Sequence, residues 1–188
     1  MNVVKKQRVF LILAIVFSLL SGCDKDPVVK SVGDNIIYMP QAAYANMRYE
    51  VPSGLDPATQ NYKVVDSENK VHIILGVLRS GSQPPAEFSV QVKPLEDTVA
   101  ALINNGTFPA ATTSVMPSSI YELPATLSVP GNQYGATFYL SVDKEKLKSY
   151  AGKKLLLGVG IENASRFSIN SELNKVIVII DVNALELN

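Results

Sequence analysis

The stretch AEFSVQVK, residues 86–93, alternates between apolar and polar side chains at every step. Phe88, Val90 and Val92 share one side of an extended backbone, and the polar residues between them share the other. A period of two is typical of a strand that covers a core with one face. Similar stretches recur along the chain with turn residues between them, which predicts an all-β sandwich or barrel.

Six further strands are predicted on both sides of this stretch. The first ends at Pro40 and therefore reads as an edge strand. The second, VHIILGVL, is apolar on both faces, which indicates a central position. The predicted ranges are Asn35–Met39, Val71–Leu78, Thr126–Val129, Gly135–Val142, Leu155–Ile161 and Lys175–Val182.

One short helix is predicted directly after the alternating strand. Pro94 stops the strand, and Glu96 and Asp97 place negative charge where the helix dipole favours it. Apolar residues then recur at helical spacing until Asn105-Gly106, which ends the helix.

The N-terminus combines a basic start with a short apolar run, and the only cysteine follows at position 23. Residues 9–20 would cover about 18 Å as a helix, against roughly 30 Å of bilayer hydrocarbon. The pattern predicts a bacterial secretory signal rather than a membrane span. Leu20-Ser21-Gly22-Cys23 resembles the lipobox of bacterial lipoproteins, which implies that Cys23 is lipidated. The alternative is an ordinary signal peptide that ends near a cysteine.

These signals predict a signal peptide at 1–22, a lipidated tether at 23–32 and a folded domain at 33–188. Several acyl chains would anchor the protein permanently, so the membrane is its first expected partner. The acidic run at residues 24–26 resembles an inner-membrane retention signal in enteric bacteria and a surface-display signal in Bacteroidetes lipoproteins.

Composition limits the classes of partner. Removing residues 1–22 takes away three basic residues, so the remaining charge is (17 − 3) − 17 = −3. A mildly acidic chain without a basic cluster argues against nucleic acid as a partner. The only histidine, His72, lies among β-branched residues and is read as a hydrogen-bonded strand residue, so we expect no metal and no cofactor.

The order of elements resembles a known family. The segments NIIYMPQA, FSVQVKPLEDTVAALINNGTF and LLLGVGIENASRFSINSELNKVIVIIDV carry the resemblance, together with Pro117, Tyr121, Leu123 and Pro124 before a strand and a Pro-Gly turn. They are similar to the immunoglobulin-like N-terminal domain of unknown function of Bacteroidetes surface lipoproteins. The resemblance covers roughly residues 32–182. It implies an immunoglobulin-like β-sandwich of about seven strands with one short helix in a loop.

What the resemblance implies about function is an outer-membrane, lipid-anchored domain facing the cell exterior. Members of this family often precede glycoside hydrolase or carbohydrate-binding domains, and we expect no such partner domain in this chain. We therefore expect a non-catalytic, adhesin-like binding module with a glycan as its ligand. The alternative is a structural spacer or assembly subunit whose partner is another cell-envelope protein.

Candidate functional residues follow from this expectation. Sugar rings stack on aromatic side chains, and tryptophan is absent, so tyrosines near loops and turns are the candidate ligand-binding residues. Asp97-Thr98-Val99 resembles the O-glycosylation sequon of Bacteroidetes surface proteins, so Thr98 is a candidate modification site. The candidate tyrosines are Tyr44, Tyr49, Tyr62, Tyr134 and Tyr150.

Two strand features have a structural and a functional interpretation. Gly158 and Gly160 share one strand face and either admit a ligand or lie under an aromatic side chain, for which Tyr139 is the candidate. The β-branched run VIVII at residues 176–180 is read as buried, with strand exchange at an exposed edge as the alternative.

Overall fold

The alternating stretch forms β5 (Phe88–Pro94), and its apolar residues are buried as their spacing predicts. The computed structural model describes residues 34–43, 47–54, 56, 58–185 and 187, so Cys23, Tyr44 and the predicted signal and tether lie outside the described residues. Two six-stranded sheets stack face to face. The predicted all-β sandwich is therefore confirmed.

Sheet I has the order β11-β1-β4-β9-β7, and β3 pairs with β4 beside β1. Its longest strands, β4 and β9, pair antiparallel along their whole length. The strands of sheet I are β1 (Ile36–Tyr38), β3 (Tyr62–Val65), β4 (Lys70–Arg79), β7 (Tyr121–Glu122), β9 (Gly135–Asp143) and β11 (Ser168–Ile169).

Sheet II has the order β2-β12-β10-β5-β8, and β6 pairs with β10. The pairings of β2 with β12 and of β6 with β10 are parallel. The other strands of sheet II are β2 (Arg48–Val51), β6 (Thr113–Val115), β8 (Thr126–Val129), β10 (Lys154–Glu162) and β12 (Lys175–Asp181).

The described residues form twelve strands rather than about seven. The five additional strands are two to four residues long, which is too short for a period of two to show in the sequence. One consequence concerns β1, predicted as an edge strand: it lies between β4 and the two-residue β11.

The described ranges contain three α-helices instead of one: α1 (Pro40–Ala43), α2 (Glu96–Asn104) and α3 (Lys144–Lys148). The predicted helix is α2, with the predicted start and end. The other two have only four and five residues, fewer than two turns, so they carry almost no periodic signal. In the part of the chain that the structure describes, no helix is long and apolar enough to cross a bilayer.

The main core lies between the sheets, and a second apolar cluster lies on the outer face of sheet II. There α2 packs on β10 and β12, so these strands are buried on both faces. The run at residues 176–180 is therefore buried, as expected, but its second face is covered by a helix rather than by the other sheet. The second cluster consists of Val99, Phe108, Leu156, Ile177 and Ile179.

Leu95, directly before α2, covers the two glycines of β10. A Cβ built on Gly158 would lie 2.9 Å from the Leu95 Cβ and carbonyl oxygen, and one on Gly160 would lie 3.0 Å from Leu95 Cδ1. The expected cover, Tyr139, was the wrong residue, because Tyr139 belongs to β9 in the other sheet.

Candidate functional site

Sheet I, in contrast, has a groove on its outer face. The register of β4 with β9 places three pairs opposite each other there, namely Ile74–Tyr139, Gly76–Thr137 and Leu78–Gly135. The alternate residues of both strands point into the core, where Leu75 and Phe138 are buried. The outer face between the two strands is thus built from one polar, one aromatic and several small or aliphatic side chains.

This outer-face groove has a volume of about 300 Å³. Gly76 forms part of its floor, where a Cβ would lie 3.4 Å from the Ala136 carbonyl oxygen, 3.8 Å from Pro40 Cγ and 3.9 Å from Gln41 Nε2. These are ordinary contact distances, so a Cβ would fit at position 76. The glycine therefore makes the groove deeper than packing requires. The lining residues are Pro40, Gln41, Ile74, Leu75, Gly76, Val77, Leu78, Gln133, Gly135, Ala136 and Thr137.

A gap in the pairing of β4 brings α1 to one wall of the groove. β1 and β3 pair with the same edge of β4 but leave a short interval between them. Other groups satisfy the backbone there: Ile74 N donates to the Asn61 carbonyl at 2.9 Å, and the Tyr49 hydroxyl donates to the Ile74 carbonyl at 3.0 Å. Gly76 N donates to Gln41 Oε1 at 3.3 Å. The side chain of Gln41 is therefore held over the floor of the groove.

An exposed tyrosine stands beside the groove. Tyr139 is 40% exposed and lies directly across from the groove residue Ile74. Its ring centroid is 5.3 Å from that of His72, at an interplanar angle of 49°. His72 is fixed in turn by Ser141 Oγ at 2.8 Å from Nδ1 and by Glu68 Oε2 at 3.2 Å from Nε2. The Tyr139 ring is thus supported on one side, and the arrangement of His72 agrees with its predicted role as a hydrogen-bonded strand residue.

Two ion pairs lie at the end of this sheet away from the groove. Lys70 Nζ lies 2.7 Å from Glu122 Oε1, and Lys144 Nζ lies 2.7 Å from Asp66 Oδ1. The hydrogen bond and charge of Lys144 hold the pKa of Asp66 below its usual value. The groove itself is lined by uncharged side chains, so the outer face of sheet I has a neutral end and a charged end.

Three of the candidate tyrosines are structural in their surroundings. Tyr49 and Tyr62 lie in β2 and β3 rather than in loops, and Tyr150 follows α3 in a turn; all three are half-buried against the core. Burial raises the pKa of the Tyr49 hydroxyl, opposed by a side-chain hydrogen bond with Asn61. Tyr49 and Tyr62 were expected in loops or near turns because β2 and β3 are too short to recognise from the sequence.

Tyr134 is exposed, at 45%, in the turn before β9. Its ring packs over the guanidinium of Arg79 at 5.1 Å, and Phe167 packs on the same group at 4.8 Å. Arg79 is buried, donates to the carbonyls of Gln83 and Pro84 at 2.9 and 3.0 Å, and also bonds Asn35. This cluster holds the loop after β4 in place. The ring of Tyr134 belongs to the cluster, although its sequence neighbours Gln133 and Gly135 line the groove.

Thr98, the candidate O-glycosylation site, is half-buried in the first turn of α2. The family motif before β8 reaches the same helix, because the Tyr121 hydroxyl donates to Glu96 Oε1 at 2.6 Å. Burial, together with the hydrogen bond and charge of Glu96, raises the pKa of Tyr121. Tyr121 thus ties a strand of sheet I to the helix that covers sheet II.

Sequence reasoning did not identify the residues that form the groove. Gln41, Gln133 and Thr137 carry no pattern that marks them, and Tyr139 was considered only as a cover for glycines. The sequence signal that points to the groove is the row of polar and aromatic side chains on the outer face of β9, namely Thr137, Tyr139 and Ser141. Reading it requires the register of β9 against β4, which the sequence does not contain.

Comparison with known proteins supports the fold. Residues 33–168 match the model of a family described as "-like, N-terminal domain". No curated protein matches the chain.

Two solved structures share the architecture. A "putative carbohydrate binding protein" from Bacteroides ovatus aligns with a TM-score of 0.51 at 16% identity over 77% of this chain. A "two domain protein with unknown function" from Bacteroides fragilis aligns with a TM-score of 0.50 at 8% identity over 82% of this chain. This chain spans 36% and 47% of those two chains. At these identities the likeness is one of fold.

Proposed function

Because the chain belongs to the family described as "-like, N-terminal domain", which bears out the resemblance seen in its sequence, we propose that it is a non-catalytic glycan-binding module. It acts as the exposed part of an outer-membrane lipoprotein. The observation that carries this proposal is the outer-face groove with an exposed tyrosine beside it. Sugars present an apolar ring face and a rim of hydroxyl groups, and a groove lined by amide and hydroxyl groups with an aromatic ring beside it suits both.

The fold relationship agrees with a binding role. One solved structure of the same architecture is described as a carbohydrate-binding protein in putative terms, and we extend that class of ligand to this chain as part of the proposal. The volume of the groove, about 300 Å³, stands at the lower end of the range for small-molecule sites.

The composition of the groove supports binding without catalysis. A glycosidase needs two carboxyl groups about 5–10 Å apart on either side of the scissile bond. The groove residues that the structure describes carry amide, hydroxyl and aliphatic side chains instead. Chromogenic glycosides should therefore stay intact in the presence of the protein, and hydrolysis lost on changing a carboxylate would contradict the proposal.

The proposed location depends on Cys23. Changing Cys23 to Ala removes the thiol that would carry the lipid, so the variant should leave the membrane fraction and appear in soluble fractions. Cys23→Ala that still sediments with membranes would contradict the lipoprotein assignment. For the surface location, protease added to intact cells should digest the domain, and full protection would contradict it.

The binding proposal is tested with the full-length protein in detergent. Polysaccharides cast into native gels should retard the protein relative to a gel without polysaccharide, and the detergent alone is the control. A folded protein that no polysaccharide retards would contradict glycan binding. Crosslinking to one specific envelope protein in the same cells would then favour the spacer or assembly role.

A further inference from the structure

We propose that the outer-face groove selects uncharged pyranose sugars over acidic or sulfated ones. One ring stacks on Tyr139, and Gln41 and Thr137 bind its hydroxyl groups. This inference rests on the proposed function, because it names the class of glycan that the same groove takes.

The charge distribution on the outer face of sheet I favours uncharged sugars in the groove. The groove residues in the described part of the chain are all uncharged. A sugar carboxylate or sulfate is bound strongly when Arg or Lys meets it, and removing it from water without such a partner is unfavourable. Among the described cations on this face, Lys70 is engaged by Glu122, and Lys63 lies opposite His72, outside the groove lining. Because neither cation lines the groove, an anionic sugar finds no charged partner there and gains little.

Hydrogen-bonding groups in the groove match neutral hydroxyls. Gln41 uses Oε1 to accept the Gly76 N–H and keeps its Nε2 over the groove floor, 3.9 Å from the position of a Gly76 Cβ. Thr137, directly across from Gly76, is exposed and offers a hydroxyl that both donates and accepts. A sugar hydroxyl also does both, so the two side chains complement it without any charge.

The shape of the site favours a short stretch of glycan. From the Ile74–Tyr139 pair to the Leu78–Gly135 pair the strands advance four residues, which is about 13 Å. A volume of about 300 Å³ over that length suits one or two rings. The Tyr139 ring, already positioned by His72, gives one of them a preorganised apolar face.

The experiment compares two variants that alter the groove with one that does not. Tyr139→Ala removes the stacking face, and Gly76→Val fills the floor. Tyr134→Ala is the matched control, because this tyrosine is equally exposed but packs on Arg79. Each full-length protein, checked for folding by circular dichroism, is run in native gels containing neutral polysaccharides (starch, mannan, xyloglucan) or acidic ones (polygalacturonate, heparin).

We expect retardation by at least one neutral polysaccharide, weakened about tenfold in Tyr139→Ala and in Gly76→Val but unchanged in Tyr134→Ala, since a lost aromatic stack is worth roughly a factor of ten in affinity. Retardation by acidic polysaccharides alone would overturn the inference and leave the proposed function standing. Neutral binding that both groove variants retain would overturn the groove as the site. No retardation by any polysaccharide would overturn the inference and the proposed function together.

Discussion

The outer faces of the two sheets share one feature, glycine on a central strand, but differ in what covers it. The glycines are Gly158 and Gly160 on β10 and Gly76 on β4. In sheet II the space is filled by Leu95 and α2, and a second apolar cluster forms beneath them. In sheet I the space above Gly76 is only partly covered, by Pro40 and Gln41, and forms the floor of the groove. A glycine on an outer sheet face therefore becomes a packing site or a proposed binding site, depending on which neighbouring residues cover it.

The largest expected effect tests whether the helix-covered face is a true second core. Leu156 is fully buried under α2. Leu156→Ala should lower the free energy of unfolding by about 2–5 kcal/mol, because it removes buried methyl groups and leaves a cavity. Ile74→Ala, on the half-buried wall of the groove, should cost only about 1 kcal/mol. Guanidinium denaturation of both variants measures the difference, and equal losses would break the comparison.

The next largest change in stability is expected when the glycines are replaced by alanine. Gly158→Ala brings a Cβ to 2.9 Å from Leu95, so α2 must shift, at a cost of about 1–3 kcal/mol. Gly76→Ala meets only ordinary contacts and should be neutral or gain about 0.5 kcal/mol by restricting the unfolded chain. Thermal melts of the two variants test this, and an equally destabilised Gly76→Ala would show that the groove floor is packed.

Tyr121 connects the two regions, and its removal should have a moderate effect. Tyr121→Phe loses the hydrogen bond to Glu96 and should cost about 1 kcal/mol. Because the folded state raises the pKa of Tyr121, the tyrosine's contribution is fully present below about pH 10 and is lost as the pH rises beyond that value. The stability difference between wild type and Tyr121→Phe should therefore shrink above pH 10. A difference independent of pH up to 11 would contradict the raised pKa of Tyr121 in the folded state.

The smallest effect concerns the charged end of sheet I. Asp143 caps α3, with Oδ1 accepting from Lys146 N at 3.0 Å, and this hydrogen bond lowers the pKa of Asp143. A lowered pKa contributes stability above about pH 4, which is lost as the pH falls through the folded-state value. Asp143→Asn keeps a cap but does not titrate, so its melting temperature should fall less than that of wild type between pH 5 and pH 2. Parallel pH profiles would contradict this.

The long elements were predictable from the sequence because their patterns are local. β4, β5, β9, β10 and β12 repeat a period of two or an unbroken apolar run, and α2 combines a proline stop with helical spacing. β2, β3 and β6 were missed because pairing with other strands, rather than their own few residues, defines them. The same limit hid the groove: Gly76 and Thr137 meet only through the register of β4 on β9. The cover of Gly158 was misassigned because the sequence does not say which sheet Tyr139 joins.

The parallel pairings at the sheet edges have a consequence for how the chain folds. β1 pairs with β11 and β2 pairs with β12, so Ile36 lies beside Ser168 and Arg48 beside Ile177. Contacts so distant along the chain require closing very large loops, which slows folding. β1 can pair with β4 early, but β2, whose described pairing is with β12, has to wait for that late strand. The chain through β12 must therefore leave the ribosome before β2 finds its partner, so this edge of sheet II forms late in folding.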